Sequence, residues 1–265
     1  MQNVAMSAAA PVVLFDPIPP DGAGTLLYRA VKRSLLDSIE AGIHAPGGSL
    51  PSEAALAAAF GVSVGTLRKA VDELVAEGLL VRRQGRGTFV TTHATDRSLF
   101  QFFRIERRDG QREAPAVEVL GLTRASVDAA GARALGIEPG AAVLQIEQRL
   151  LLQQRPVACE RLVLPAALFK GMTEKRLRDH AGALYAWYQS EFGVTVVRAV
   201  ERVAAAIADR DVRATLGLAS GAAVLHLRRQ ALGFGERVVE MRDSFVDSAL
   251  HDYVNVLSPA TPPSP

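Results

Sequence analysis

Two ten-residue stretches, LGIEPGAAVL from Leu135 and LGLASGAAVL from Leu216, echo each other within a chain of 265 residues. Each follows an Ala/Arg-rich helical stretch, residues 126–134 and 207–215, and each leads into a strand, a polar or Gly-containing turn and a second strand. Pro156-Val-Ala-Cys-Glu160 answers Arg237-Val-Val-Glu240 after one gap. A helix–strand–strand unit used only twice is too short for a solenoid. It predicts two pseudo-symmetric halves sharing one antiparallel sheet. Residues 142–152 and 223–231 alternate or run apolar, as strands of a sheet core do. Between the halves, residues 173–192 predict a helix carrying Leu184, Trp187 and Tyr188 and ending near Gly193. Glu160 and Glu240 fall in matching places among apolar neighbours, where a carboxylate wants a partner. Arg149, Arg161 and Arg242 are near in sequence and can supply one. Such residues are either edge or surface ion pairs, which contribute little, or a polar cluster at the sheet centre that grips a small ligand.

The chain ahead of this block has a different texture. Leu27, Val31, Leu35 and Ile39 recur every four residues and predict an amphipathic helix that Gly42 ends. Ser52 caps a short second helix carrying Leu56, Ala59 and Phe60, with Glu53 suiting its positive end. Only Gly61 and Val62 then separate that helix from Ser63, which caps a third with Leu67, Ala70, Val71, Leu74 and Val75 inward. Two short helices joined by a tight glycine turn form a helix-turn-helix pattern. After Gly78, residues 79–83 and 88–90 read as strands around Gln84–Gly87. That hairpin, with Arg82, Arg83 and Arg86 at its tip, is a wing.

The periodic Leu and Val are core packing and carry no function. The polar residues carry it jointly. A free helix N-terminus presents unpaired N–H groups to a phosphate. Ser63 and Thr66 add hydroxyls, and Arg68 and Lys69 lie a turn further on, within reach of phosphate or base edges. The wing adds three guanidinium groups on a glycine-sharpened turn, each able to release counterions at a phosphate.

The segments Leu50-Pro-Ser-Glu, Gly61-Val-Ser, Thr66-Leu-Arg-Lys-Ala-Val-Asp-Glu-Leu, Glu77-Gly-Leu-Leu and Gln84-Gly-Arg-Gly-Thr-Phe-Val together resemble the DNA-binding domain of the GntR family of bacterial regulators. The resemblance implies that Ser63, Thr66, Arg68 and the wing around Gly85, Arg86, Gly87 and Thr88 lie on DNA; Ser52, Lys69, Arg82, Arg83 and Gln84 complete the candidate DNA contacts. Ala54 and Val64 stand where the family often has Arg, so a shifted operator preference, resting more on the wing, is expected. From Phe102 to Leu257 the chain resembles the UTRA effector domain of the HutC subfamily. The residues that carry this are the two LG-x-x-x-GAAVL entries, Arg149, Pro156 with Glu160, Leu164-Pro-x-x-Leu-Phe and Val239-Glu240. That domain is similar in fold to chorismate lyase. The resemblance implies a ligand pocket on one sheet face that uses Arg149, Glu160 and Glu240; Arg104, Tyr185 and Arg242 are further candidate contacts. Glu147-Gln148-Arg149 replaces a frequent Arg-x-Arg pair, and Phe245-Val246 stands where a Tyr is common; both weaken the case for a sugar phosphate.

The expected class is therefore α+β: a winged helix-turn-helix followed by an antiparallel-sheet α/β effector domain. The expected layout is a disordered leader (1–20), the DNA-binding domain (21–91), a linker (92–100), the ligand-binding and dimerisation domain (101–257) and a disordered tail (258–265). A net charge of +2 gives no global field for nucleic acid, so DNA binding rests on local charge. The one cysteine, Cys159, excludes an internal disulfide and predicts an inert, buried thiol. The five scattered histidines form no metal or acid–base constellation, and lone histidines are surface or satisfied core residues. No Gly-x-Ser-x-Gly, Walker or HExxH motif is present. An enzyme and a constitutive architectural DNA binder are the two competing classes. The first lacks catalytic residues, and the second has no use for a ligand-gripping domain. Neither a secretory signal nor a membrane span is legible. The expectation is a cytoplasmic homodimeric repressor without cofactor, whose partners are double-stranded operator DNA and a small-molecule effector.

Overall fold

The computed structural model describes residues 24–91, 102–110, 113–180 and 182–255. The expected leader, linker and tail lie outside the described residues. The chain divides into two compact units, Met1–Thr91 and Thr92–Pro265.

In the first unit, α1 (Gly24–Glu40) packs its buried Tyr28, Val31, Leu35 and Ile39 against α3 (Val64–Ala76), which buries Leu67, Ala70, Val71 and Leu74. Lys32 ties the two helices by reaching Glu73 at 3.0 Å and Glu77 at 2.5 Å. Between them, α2 (Glu53–Phe60) begins at Ser52, whose hydroxyl accepts the Ala55 N–H, and ends at Gly61 with φ 66°. That left-handed conformation is strained for any residue with a Cβ. It lets the axis turn by 112° into α3, the angle of a helix-turn-helix. The wing pairs β1 (Leu80–Arg83) with β2 (Gly87–Val90). Residues 47–50 pin its other side, through Leu50 N–H to Thr88 O (2.8 Å) and Val90 N–H to Gly48 O (2.9 Å).

The second unit is one six-stranded antiparallel sheet in the order β4-β5-β6-β9-β8-β7. The predicted pseudo-symmetry is present, and the unit is longer than its sequence signature. Strand β4 (Ala116–Ser126), helix α4 (Ala129–Leu135), β5 (Ala142–Leu152) and β6 (Arg155–Pro165) form the first half. Strand β7 (Arg198–Ile207), helix α7 (Arg210–Leu216), β8 (Ala223–Leu232) and β9 (Val238–Asp247) form the second. Residues 126 and 207, read as helical in the sequence, each end a strand instead. The two helices share their caps: Asp128 and Asp209 accept N–H groups of the first turn, and Gly136 and Gly217 take φ 65° and 71° beyond the last. A bulge falls at the same place in each half, between Leu150 and Leu151 and between Ala231 and Leu232.

The expected single helix over 173–192 is two, α5 (Glu174–Asp179) and α6 (Leu184–Phe192), the latter closed by Gly193. Tyr188, Trp187 and Phe192 of α6 join Phe169, Ile146, Leu162 and Leu164 in one core cluster. A small ribbon of β3 (Ile105–Arg107) and β10 (His251–Tyr253) completes the unit.

Candidate functional site

The register of the sheet decides which side chains meet. Gln148 pairs with Glu160 in the first half, and Arg229 pairs with Arg242 at the matching step of the second. Leu150 pairs with Ala158, matched by Ala231 with Glu240. Glu160 is therefore the counterpart of Arg242, and Glu240 that of Ala158, which corrects the expectation that the two glutamates are equivalent. The halves repeat in backbone but carry opposite charges at one position, and that difference builds an ion pair across the central strands. Arg242 Nη1 lies 3.2 Å from Glu160.

Arg242 is the hub. Its Nε and Nη2 donate to the two oxygens of Glu240 at 2.9 and 3.1 Å. Glu240 is completely buried and also accepts from Tyr185 Oη (2.9 Å) and Tyr188 Oη (3.0 Å). Burial first, and the Glu240 charge second, push the Tyr185 hydroxyl up to about 12, so it stays a donor. Glu160 accepts from Gln148 Nε2 (2.7 Å) and Ser244 Oγ (2.8 Å). Its burial would raise its pKa, but Arg242 foremost, with Gln148 and Ser244, outweighs that and holds it below the ordinary value. Beside Arg242 on β8, Arg229 donates to Glu201 at 2.8 Å and to the Phe102 carbonyl.

This cluster floors a cavity of about 1200 Å³. Gln148, Glu160, Tyr185, Arg229, Arg242 and Ser244 line it from below, and Phe102, Phe103, Leu184 and Trp187 give it apolar walls. Trp187 stacks on His180 with ring centroids 4.9 Å apart. His180 also lines the cavity, and its Nε2 is buried with no hydrogen-bond partner among the described residues.

Of the six predicted ligand contacts, Glu160, Tyr185 and Arg242 line the floor, and Arg104 lies on the exposed margin beside Asn255. Glu240 stands behind the floor, where it orients Arg242 and Tyr185. Arg149 does not join the cluster. It follows inward-facing Gln148 by one residue on β5, so it points to the opposite face, where Glu118 holds it at 2.8 Å. Arg161 likewise pairs with Glu147 at 3.0 Å, leaving Arg242 as the only one of the three expected cations to serve the glutamates. Sequence reasoning missed Gln148, Arg229, Ser244 and His180. Carrying the repeat four residues further into each strand would have brought out Arg229, opposite Gln148 of the first half. His180 contradicts the expectation of satisfied histidines. Cys159 is half-buried, its thiol pushed up to about 11 by burial and then by Glu160, as an inert thiol should be.

On the first unit, Ser63 Oγ accepts the Thr66 N–H (3.1 Å) and shares a hydrogen bond with Thr66 Oγ1 (2.9 Å), which fixes the start of α3. Arg68 reaches Glu53 at 2.9 Å, and Lys69 lies over the Tyr28 ring at 4.1 Å, on the side of α1. Arg82 is not at the wing tip. It pairs with Thr88 one step below the turn, and Glu53 (3.0 Å) and Asp72 hold its guanidinium. The turn itself runs Arg83-Gln84-Gly85-Arg86, closed by Arg86 N–H to Arg83 O at 2.9 Å with Gly85 at φ 68°. Arg83 lies over Phe89, and Arg86 is exposed with no side-chain partner among the described residues.

Comparison with known proteins accounts for both units. The profile of the bacterial regulatory proteins of the gntR family matches residues 27–90, and that of the UTRA domain matches residues 110–251. The histidine utilization repressor of Klebsiella aerogenes is 31% identical over 186 residues, covering 68% of this chain and 77% of that protein. The HTH-type transcriptional regulator SmoD of Agrobacterium fabrum is 26% identical, with 88% and 97% covered. A third relative, the HTH-type regulator YurK of Bacillus subtilis, is 32% identical, but the match spans 57% of this chain and 63% of that protein. Among solved structures, the ligand-binding domain of a regulator assigned to the GntR family in Bordetella bronchiseptica is 29% identical. It superposes with a TM-score of 0.56 over 59% of this chain and 97% of its own. PhnF of Mycobacterium smegmatis, 24% identical, shares the fold with a TM-score of 0.53 over 88% of this chain and 100% of its own. With one unit shaped as a capped helix-turn-helix and wing and the other as a pseudo-symmetric sheet, each matched by its own profile, the chain belongs to the GntR family of bacterial transcriptional regulators and carries a UTRA domain.

Proposed function

We propose that the chain is a repressor that binds operator DNA as a homodimer, through α3 and the wing, and is controlled by a small molecule in the cavity of the sheet. The sheet, whose likeness to chorismate lyase the sequence implies, binds and does not catalyse. The observation that carries the effector reading is the floor itself. Arg242 donates three N–H groups to two carboxylates, and a guanidinium has five. His180 Nε2 is buried with no hydrogen-bond partner among the described residues. A buried polar atom left unpaired costs free energy that a ligand would recover.

The charge balance narrows the ligand. Arg229 and Arg242 already face Glu160, Glu201 and Glu240. A phosphate dianion gains little from cations so occupied. The floor suits a neutral, zwitterionic or singly charged polar head, and the Phe102–Trp187 walls suit an apolar body.

A thermal-shift screen of the full chain against metabolites of that description tests the reading. Compounds that raise Tm by several degrees should lose most of that effect in His180→Ala. The absence of any stabilising compound, or undiminished shifts in the variant, would sink it.

A further inference from the structure

The first turn of α3 holds two adjacent residues that the fold does not demand. Val64 opens the helix with 40% of its surface exposed, and Gly65 follows it, also exposed. Valine and glycine are both poorer helix formers than alanine. Gly65 takes no positive φ, and a Cβ there would meet only Ser63 Oγ, at an ordinary 3.7 Å. Nothing within the unit therefore requires a missing side chain at that position. A missing Cβ serves the close approach of another molecule. The polar neighbours are taken up by the protein itself. The Ser63 and Thr66 hydroxyls bond each other at 2.9 Å, Glu53 holds Arg68 at 2.9 Å, and Lys69 lies over the Tyr28 ring at 4.1 Å. Val64 stands beside them exposed and apolar, and its branching at Cβ holds it to one strongly preferred rotamer in a helix.

We propose that Val64 reads the 5-methyl group of a thymine in the major groove, and that Gly65 lets α3 seat deeply enough for that contact. The N-terminal residues of the second helix of a helix-turn-helix are those that meet base edges. The thymine methyl is the apolar group on those edges, and the other bases present donors and acceptors there. A valine side chain has no donor for a phosphate and no hydrogen bond for a guanine, adenine or cytosine edge. It covers a methyl at little cost in rotamer freedom, because its one χ angle is already fixed by the helix. The proposal rests on the operator-binding reading above and names the base feature that α3 selects.

The test is a thymine-to-uracil exchange, which removes that methyl and keeps the base pairing. A duplex selected by the full chain from a randomised pool is remade with each thymine in turn replaced by uracil, and binding is followed by fluorescence anisotropy. Wild type should lose about fourfold in affinity at one thymine of each half-site, the worth of one buried methyl. Val64→Ala, with folding checked by melting, should bind the thymine and uracil forms alike. Arg83→Ala with Arg86→Ala should keep the penalty. Gly65→Ala should melt no lower than wild type and bind every duplex more weakly. A uracil series with no sensitive position overturns the proposal and leaves operator binding standing. So does a penalty that Val64→Ala retains or the wing variant loses, and so does undiminished binding by Gly65→Ala. A chain that selects no duplex overturns both.

Discussion

Glu160 and Glu240 show how one residue type does two jobs a few ångströms apart. Glu240 is sealed from solvent and used up by Arg242 and two tyrosines, so its role is to hold donors in place. Removing it strands a buried guanidinium. Glu240→Ala should therefore destabilise the second unit by about 3–5 kcal/mol, the cost of breaking a buried pair from one side, as read from urea unfolding. Glu160 faces the cavity, and its depressed pKa has a consequence for pH. The folded form binds its proton less readily than the unfolded chain, whose carboxyl titrates near 4.5. The stabilisation is thus fully present above that value and lost as pH falls through the lower folded value. Melting temperature should drop on that acid limb, and Glu160→Gln should flatten it. An unchanged limb in the variant would mean that Arg242 does not stabilise the Glu160 anion.

Among the elements, the wing separates charge available to DNA from charge already committed. Arg68 and Arg82 share Glu53, and Asp72 also holds Arg82, so these two join α2, α3 and β1. Arg83 and Arg86 flank the exposed turn. Arg83→Ala with Arg86→Ala should weaken binding to every duplex alike and flatten the logarithmic salt dependence by about 0.9 for each phosphate no longer neutralised. Fluorescence anisotropy across a salt series measures both, and an unchanged slope would remove the wing from the interface. Elements of this unit were legible because each has a local signal. Ser52, Ser63 and Gly61 mark helix ends whatever packs beyond them. Strands β4 and β7 lacked such a signal. Both are edge strands with largely exposed residues, so neither shows the alternation that burial on one face imposes.

For the whole molecule, the proposed function joins two units through linkage. If the effector changes operator affinity by some factor, operator DNA must change effector affinity by the same factor. Calorimetric titration of a thermal-shift hit, with and without operator, should give dissociation constants in that ratio; equal values would sever the control mechanism while leaving both binding sites intact. The sequence by itself determined the two-part architecture, the helix-turn-helix with its wing and the duplicated half-sheet. Each of these is written in caps, turns and periodicities that act over a few neighbouring residues. Only the tertiary structure decided that Glu160 answers Arg242, that Arg149 turns away, and that Arg229 and His180 enter the cavity. Those outcomes depend on strand register and on the bulges, where a shift of one residue sends a side chain to the opposite face, and register is fixed by packing across residues far apart in the chain.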